Sequence, residues 1–361
     1  MFRMQLYQRY LIRETFAAVF LVLVAFLALF AFFNFIDELR TVGKAGYGVG
    51  HAAFFVALGV PGLIYELIPI ASLIGTLYAL STMARHSEIA VLRASGLATR
   101  DLLMTLFRAA MVLAILTFLI GEVVAPFTER LGREVRAKAL STVIAQSGFD
   151  SGLWLKDGRS FINIRKAAPD APLEGVRIYK FNEHNVLESV TDSRTAEYQA
   201  PGHWLLHGVV KTVLDGDRSQ VESSATGDWY STVTPGLLSV LLVTPERMSL
   251  YGLLNYTRHL TENKQKTERY KIALWKKLTY PLAVFVMVAL ALPFGYSHNR
   301  VGGVSLKIFA GVMLGILFYA LNGLSSNLGA INSWSPVVSA TVPSALFLLA
   351  AVSMLWWSER R

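Results

Sequence analysis

Six long apolar runs divide this chain into two groups of three, separated by residues 127–270, which read largely as strands. A run of about 18 or more apolar residues is long enough to cross a bilayer. An even number of crossings brings the C-terminus back to the side on which the N-terminus began. The middle segment then stands alone on the opposite side, tethered at both ends by membrane helices. Such a layout suits a protein that passes a molecule, or a signal, from the bilayer to a water-facing module. Composition agrees. Mean hydropathy is +0.45, and only 16% of residues are charged, against about 25% in a soluble domain. The absence of cysteine excludes disulfides, thiolate metal sites and cysteine nucleophiles. The net charge of +9 points to orientation in a membrane and to anionic lipid before nucleic acid.

The expected spans are Phe16–Ile36, Phe54–Ala84, Leu102–Ala125, Leu278–Gly295, Val304–Leu321 and Pro336–Trp357. The first is too long for a cleaved signal peptide, and no small-residue cleavage site follows it. Pro61 and Pro69 should break or kink the second, leaving the residues before Pro61 as an interfacial lead-in. The third should stop at Pro126. Trp334, Trp356 and Trp357 sit at span ends, where the indole prefers the interface. Arg3, Arg9, Arg13, Arg85, Arg93, Arg100, Arg300, Arg360 and Arg361 fall on one side of this arrangement. The opposite short loops hold Arg40 and Lys44, and residues 323–335 hold no charge. Basic residues collect on the cytoplasmic side, so both termini are expected there and the middle segment outside. The fold class expected is an α-helical membrane protein: a first bundle at 1–126, a middle domain at 127–270 with its β core at about 152–243, and a second bundle at 271–361.

The middle domain should begin helically over Thr128–Ser147 and then alternate. Leu153–Lys156 and Ser160–Ile164 flank Asp157-Gly158, a pair suited to the left-handed dihedrals of a hairpin turn. Val176–Phe181, Val186–Val190, Trp204–Val210 and Val221–Ser224 are further strands, with a second turn at Asp215-Gly216. Short strands joined by such turns suggest a sandwich, jellyroll or open barrel. After Pro245 the chain turns helical, with Ser249 as its N-cap.

No P-loop, GxSxG or HExxH motif occurs. His203 and His207 could share a strand face, but with no third ligand nearby they read as surface histidines. Four other features bear on mechanism. The loop Met83–Arg100 holds a capped amphipathic helix at about 86–96, opened by His86 or Ser87, favoured by Glu88 at its positive end and closed by Gly96. Ile89, Val91 and Leu92 give it an apolar side, and Glu88 and Arg93 flank that side. It suits docking to a cytoplasmic partner and equally a connector resting on headgroups. Phe26, Phe30, Phe33, Asp37 and Arg40 lie on one face of span one, either towards an acylated anionic amphiphile or towards ordinary lipid. Arg133, Arg136 and Lys138 form a basic cluster beyond span three that could clamp phosphate or simply face headgroups. Among intramembrane charges, Arg108 and Lys307 should snorkel and Glu66 is the better candidate to line a cavity.

With Arg9-Tyr10, FIDELR (Phe35–Arg40), SEIAVLRASG (Ser87–Gly96), GEVVAP (Gly121–Pro126), GLWLKDG (Gly152–Gly158) and PERMS (Pro245–Ser249), nearly the whole chain resembles the LptF/LptG family. These are the permease subunits of the lipopolysaccharide-export ABC transporter, and GLWLKDG favours the G-type. The resemblance implies six transmembrane helices in a 3+3 arrangement with an inserted periplasmic β-jellyroll, in the bacterial inner membrane. It implies a lipid-extracting subunit that is not itself an enzyme and holds no cofactor. Its partners would be an F-type permease (LptF), a cytoplasmic ATPase dimer (LptB) binding ATP and Mg, and a single-span periplasmic bridge protein (LptC). The lipid head group would meet Arg40, Lys44, Arg133 and Arg136, and the acyl chains Phe26, Phe30, Phe33 and Leu67. Glu88 and Arg93 would couple to the ATPase. Asn34 departs from the family by standing where a G-type relative can carry lysine, which shifts the head group towards Arg40 and Lys44. Two rivals are a membrane-anchored periplasmic scaffold and a mechanotransmitting ABC subunit that carries no lipid.

Overall fold

Apolar sequence of this length in lipid must satisfy its backbone internally, and helices do so. A computed structural model describes residues 5–44, 46–140, 152–166, 172–200, 202–215, 218–235, 238, 245–263, 265–296 and 304–359. Arg3, Arg300, Arg360, Arg361, the expected helix beyond Leu140, Gly216, residues 239–243 of the expected β core and the Lys138 side chain lie outside this description. Among the described residues, six helical segments are long and apolar enough to cross a membrane: Leu6–Leu39, Val49–Arg85, Thr99–Arg136, Glu268–Phe294, Val304–Ile331 and Pro336–Trp357.

Helix α1 (Leu6–Leu39) extends beyond the expected first span at both ends. Helix α2 (Val49–Arg85) runs as one helix through Pro61 and Pro69, so the residues expected as an interfacial lead-in belong to the same helix as the span. A proline in a membrane helix is tolerated where neighbours serve the loosened backbone. Here Tyr280 donates its hydroxyl to the Glu66 carbonyl at 2.7 Å, one turn below Pro69. A short helix α3 (Glu88–Ala94) follows, then α4 (Thr99–Leu119). The third span does not stop at Pro126. A π turn at Ile120–Val124 leads into α5 (Ala125–Ala139), placing Pro126 in the first turn of a new segment, where its missing N–H costs nothing.

The second bundle is reached through a 3-10 turn at Pro245–Arg247 and helix α6 (Leu250–Glu262), where Ser249 accepts from the Gly252 N–H at 3.1 Å as the expected N-cap. Then come α7 (Glu268–Thr279), a 3-10 turn at Tyr280–Leu282, α8 (Ala283–Tyr296), α9 (Val304–Ile331) and α10 (Pro336–Glu359). Spans two and four carry the core. Leu11, Val19, Ile68, Leu80, Leu106 and Val284 form one buried cluster. Leu73, Leu77, Met287, Phe318 and Phe347 form another on the other flank of α2 and α8.

Between the bundles lies one antiparallel sheet of six strands: β1 (Leu153–Asp157), β2 (Ser160–Lys166), β3 (Leu173–Phe181), β4 (Leu187–Ala200), β5 (His203–Asp215) and β6 (Arg218–Tyr230). The first hairpin turns as expected, with Gly158 at φ 57°. Among the described residues strand order follows chain order, and the sheet folds over one core as the expected inserted β domain. Leu155, Ile162, Ile164, Val176, Ile178, Trp204, Leu206 and Trp229 fill that core. The Asp157 carboxylate accepts from Ser231 Oγ at 2.6 Å and from the backbone and hydroxyl of Thr232 at 3.0 and 2.6 Å. The end of β1 is thereby tied to the chain leaving β6. Trp204, 2% exposed, donates Nε1 to the Val233 carbonyl at 2.8 Å. Trp204→Ala should cost the domain about 3–5 kcal/mol, seen as rapid protease cleavage within 152–235 of the full chain while the membrane helices stay intact.

Candidate functional site

The outer end of span one is built by two elements. Span one ends in FIDELR, and α5 passes beside it. Arg136 Nε pairs with Glu38 at 2.8 Å and its guanidinium lies 5.1 Å from the centre of the Phe55 ring. Tyr47, 1% exposed, packs there with Ala52 and Leu140. Burial pushes the Tyr47 phenol up to about 12, and the neighbouring Glu38 carboxylate acts in the same direction. Arg133 instead bonds its own helix, donating Nε to the Glu129 carbonyl at 3.1 Å and pairing with the Glu129 carboxylate at 3.7 Å. The two arginines therefore pair with different carboxylates, and both remain partly exposed. Arg40, paired with the exposed Asp37 at 3.7 Å, and Lys44 are the more exposed of the four expected head-group residues.

Below them, Phe30 and Phe33 are 41% and 52% exposed and Phe26 is half-buried. Phe26 and Phe30 rings lie 6.4 Å apart, as their spacing requires. The open surface is broader than one stripe, since Phe20, Leu29, Phe32 and Ile36 are exposed as well. The part of the helix from Leu11 to Val19 packs into the bundle, so span one is held in its N-terminal half and bare in its C-terminal half. Leu67 is buried and does not join this open surface.

Between spans two and three the expected short helix forms, but differently from its expected cap. Ser87 is left-handed, with φ 61°, and makes no side-chain cap. Gly96, φ 92°, ends the helix, and the Leu97 N–H reaches back to the Leu92 carbonyl at 3.1 Å. Its apolar side is split: Ile89 is buried and Leu92 packs against the bundle, while Val91 is 67% exposed. Glu88 accepts from the Tyr10 hydroxyl at 3.3 Å and Arg93 is exposed. Tyr10, Glu14, Tyr78, His86 and Glu88 border a cleft of about 200 Å³. Tyr10 was visible in sequence only as part of a motif, and Glu38 only as a letter of FIDELR. Their partners lie 78 and 98 positions away along the chain.

Arg108 donates to Gln8 at 3.1 Å and Lys307 to the Phe294 carbonyl at 2.8 Å, so both expected snorkelling residues are engaged near their own span ends. His203 pairs with Asp228 at 2.7 Å and His207 lies 3.9 Å from Glu197. No three metal-ligating side chains converge among the described residues.

The family model "Lipopolysaccharide export system permease LptF/LptG" matches residues 9–357. The lipopolysaccharide export system permease protein LptG of Escherichia coli strain K12 is 32% identical over 354 residues, covering 96% of this chain and 97% of that protein. The LptG protein of Haemophilus influenzae is 30% identical over 350 residues, covering 97% and 96%. Spans two to six, the inserted sheet and span one from Arg9 onward fall within the family match. The chain belongs to the LptF/LptG family of lipopolysaccharide export permeases.

Proposed function

We propose that this chain is the G-type permease subunit of a lipopolysaccharide exporter in the bacterial inner membrane, with both termini cytoplasmic and the β domain periplasmic. It takes lipopolysaccharide from the outer leaflet and passes it towards a periplasmic bridge. A cytoplasmic ATPase dimer supplies the energy, and an F-type permease covers the bare upper part of span one. The observation that carries the reading is the exposed aromatic surface at Phe30 and Phe33 beneath the exposed cations Arg40 and Lys44. Helical rise is about 1.5 Å per residue, so Phe26 to Arg40 spans about 21 Å. This matches acyl chains lying in the bilayer with a phosphate at its surface.

Photocrosslinkers at Phe30 and Phe33 should label lipopolysaccharide in native membranes. One at Phe35, which packs against Tyr47, Ala52 and Leu140, should not. Arg40→Glu should reduce labelling by repelling the anionic head, and Arg40→Lys should do so less. Equal labelling at all three aromatic positions, or full labelling in Arg40→Glu, would remove this face from the lipid path.

A further inference from the structure

Two motifs that lie more than a hundred residues apart in sequence meet in the fold. Glu122, from GEVVAP, sits on the π turn of span three. Both of its carboxylate oxygens accept from the Leu250 N–H, at 2.9 and 3.0 Å, at the end of PERMS. Lys277, from the start of span four and 7% exposed, lies 3.5 Å from the same carboxylate and donates to the Met248 carbonyl. The segment is held from its sides as well. Arg269 pairs with Glu246 at 3.6 Å, and Arg247 approaches Glu129 to 4.0 Å. Met248 and Leu253 are buried against Ala273 beneath it. The first bundle, the second bundle and the chain returning from the β domain are thus bonded at one point.

Helix α6 starts at this point and is about 20 Å long at the usual rise. At its far end the Asn263 side chain, 9% exposed, accepts from the Gly158 N–H at 2.8 Å. Gly158 is in the first hairpin turn of the β domain. Helix α6 is therefore a strut with one end fixed in the membrane bundle and the other on the sheet. Glu122 projects from the middle of the π turn Ile120–Val124, a distortion that occurs frequently at functional sites. A buried ion pair is seldom a net gain in stability over apolar residues of the same size, and a specifying role is a reason to keep one.

We propose that Glu122 and Lys277 are positioning residues that set the orientation of the periplasmic domain against the transmembrane bundle, and that release of lipid from the bundle depends on this joint. The dependence on lipid release rests on the function proposed above; the positioning does not.

The native chain has no cysteine, so Val186→Cys on the β domain and Ile331→Cys on span five give two unique spin-label sites. Both native side chains are well exposed. In the complex purified from membranes, the unmodified joint should give one narrow distance distribution. Glu122→Gln and Lys277→Met should each broaden it. Each should also lower lipopolysaccharide export from proteoliposomes by about tenfold or more, the order expected when one hydrogen-bonded partner of a buried charge pair is lost. Loading, read by a photocrosslinker at Phe30, should be unchanged. A distribution that stays narrow, or export that stays normal, overturns the proposal. So does loss of loading together with export, which would mark a general structural defect. If the single variants do not assemble, Glu122→Gln/Lys277→Met supplies a neutral pair that a buried site accepts more readily, and the same outcomes apply to it. Absence of any lipopolysaccharide label in the native complex would instead count against the permease reading, leaving the distance measurement to judge the joint.

Discussion

Gly75→Val is expected to be among the most damaging single substitutions in the membrane part of this protein. A Cβ at position 75 would lie 2.6 Å from both the Cα and the backbone nitrogen of Val19. Side chains can rotate away from such an intrusion, but these are main-chain atoms of span one, and they move only if the whole helix moves. Val19 is 2% exposed and belongs to the cluster that joins spans one, two, three and four. Pushing span one away from span two would open that cluster along the length that anchors the bare C-terminal half. Overpacking costs about 1–3 kcal/mol where side chains can adjust, and a backbone clash should cost at least that. Gly59→Ala is the matched comparison. It lies in the same helix, with nothing within 4 Å of its added carbon, and alanine favours a helix by about 1 kcal/mol over glycine. Thermal unfolding of the detergent-purified chain, followed by fluorescence-detected size exclusion, should show Gly75→Val aggregated or strongly lowered in Tm and Gly59→Ala unchanged or raised. A normal melting temperature for Gly75→Val would show that spans one and two do not meet at this point.

On the function proposed above, Glu88→Ala should uncouple the chain from the proposed ATPase. One carboxylate oxygen of Glu88 takes the Tyr10 hydroxyl, and the other is buried with no hydrogen-bond partner among the described residues. That oxygen is closed to solvent, so a docking partner would meet Glu88 through the rest of its half-buried side chain, at the cleft it borders with Tyr10, Glu14 and His86. The exposed Val91 beside it offers an apolar contact in the same footprint. Removing one partner of a hydrogen-bonded interfacial charge pair costs about 2–5 kcal/mol, which is about thirtyfold or more in affinity. Copurification from native membranes should show the ATPase lost from Glu88→Ala. It should be largely retained in Tyr10→Phe, which removes only the orienting hydroxyl. Full ATPase retention and normal export in Glu88→Ala would exclude Glu88 from the docking surface.

Much of the architecture is legible in local sequence. The six spans follow from hydropathy, and the hairpin from Asp157-Gly158 because a left-handed turn suits glycine at φ 57°. Ser249 and Gly96 mark helix ends because capping is settled within a few residues. Neighbours can override a local preference: Pro61 and Pro69 would end a helix in water, yet span two does not break there, and Tyr280 donates to its backbone at Glu66. Strand β6 was seen only as Val221–Ser224 because it is an edge strand with little but Trp229 buried, so no alternation of apolar residues marks it. The candidate site was legible as residue types and helical faces. Sequence spacing put Phe26, Phe30 and Phe33 on one face, and a helix's own period guarantees that much.

Which partner each cation takes was decided partly by helical spacing and partly by tertiary structure. Glu129, four positions before Arg133, is its neighbour on the helix, whereas Arg136 meets Glu38 only because α5 packs beside the end of span one. The joint of Glu122 with Lys277 and Leu250 is decided in the same way. Hydropathy and turn chemistry are properties of neighbouring residues, so the chain states them by itself. An ion pair between residues far apart in sequence exists only once packing has placed both charges in one low-dielectric pocket, and no local pattern encodes that distance.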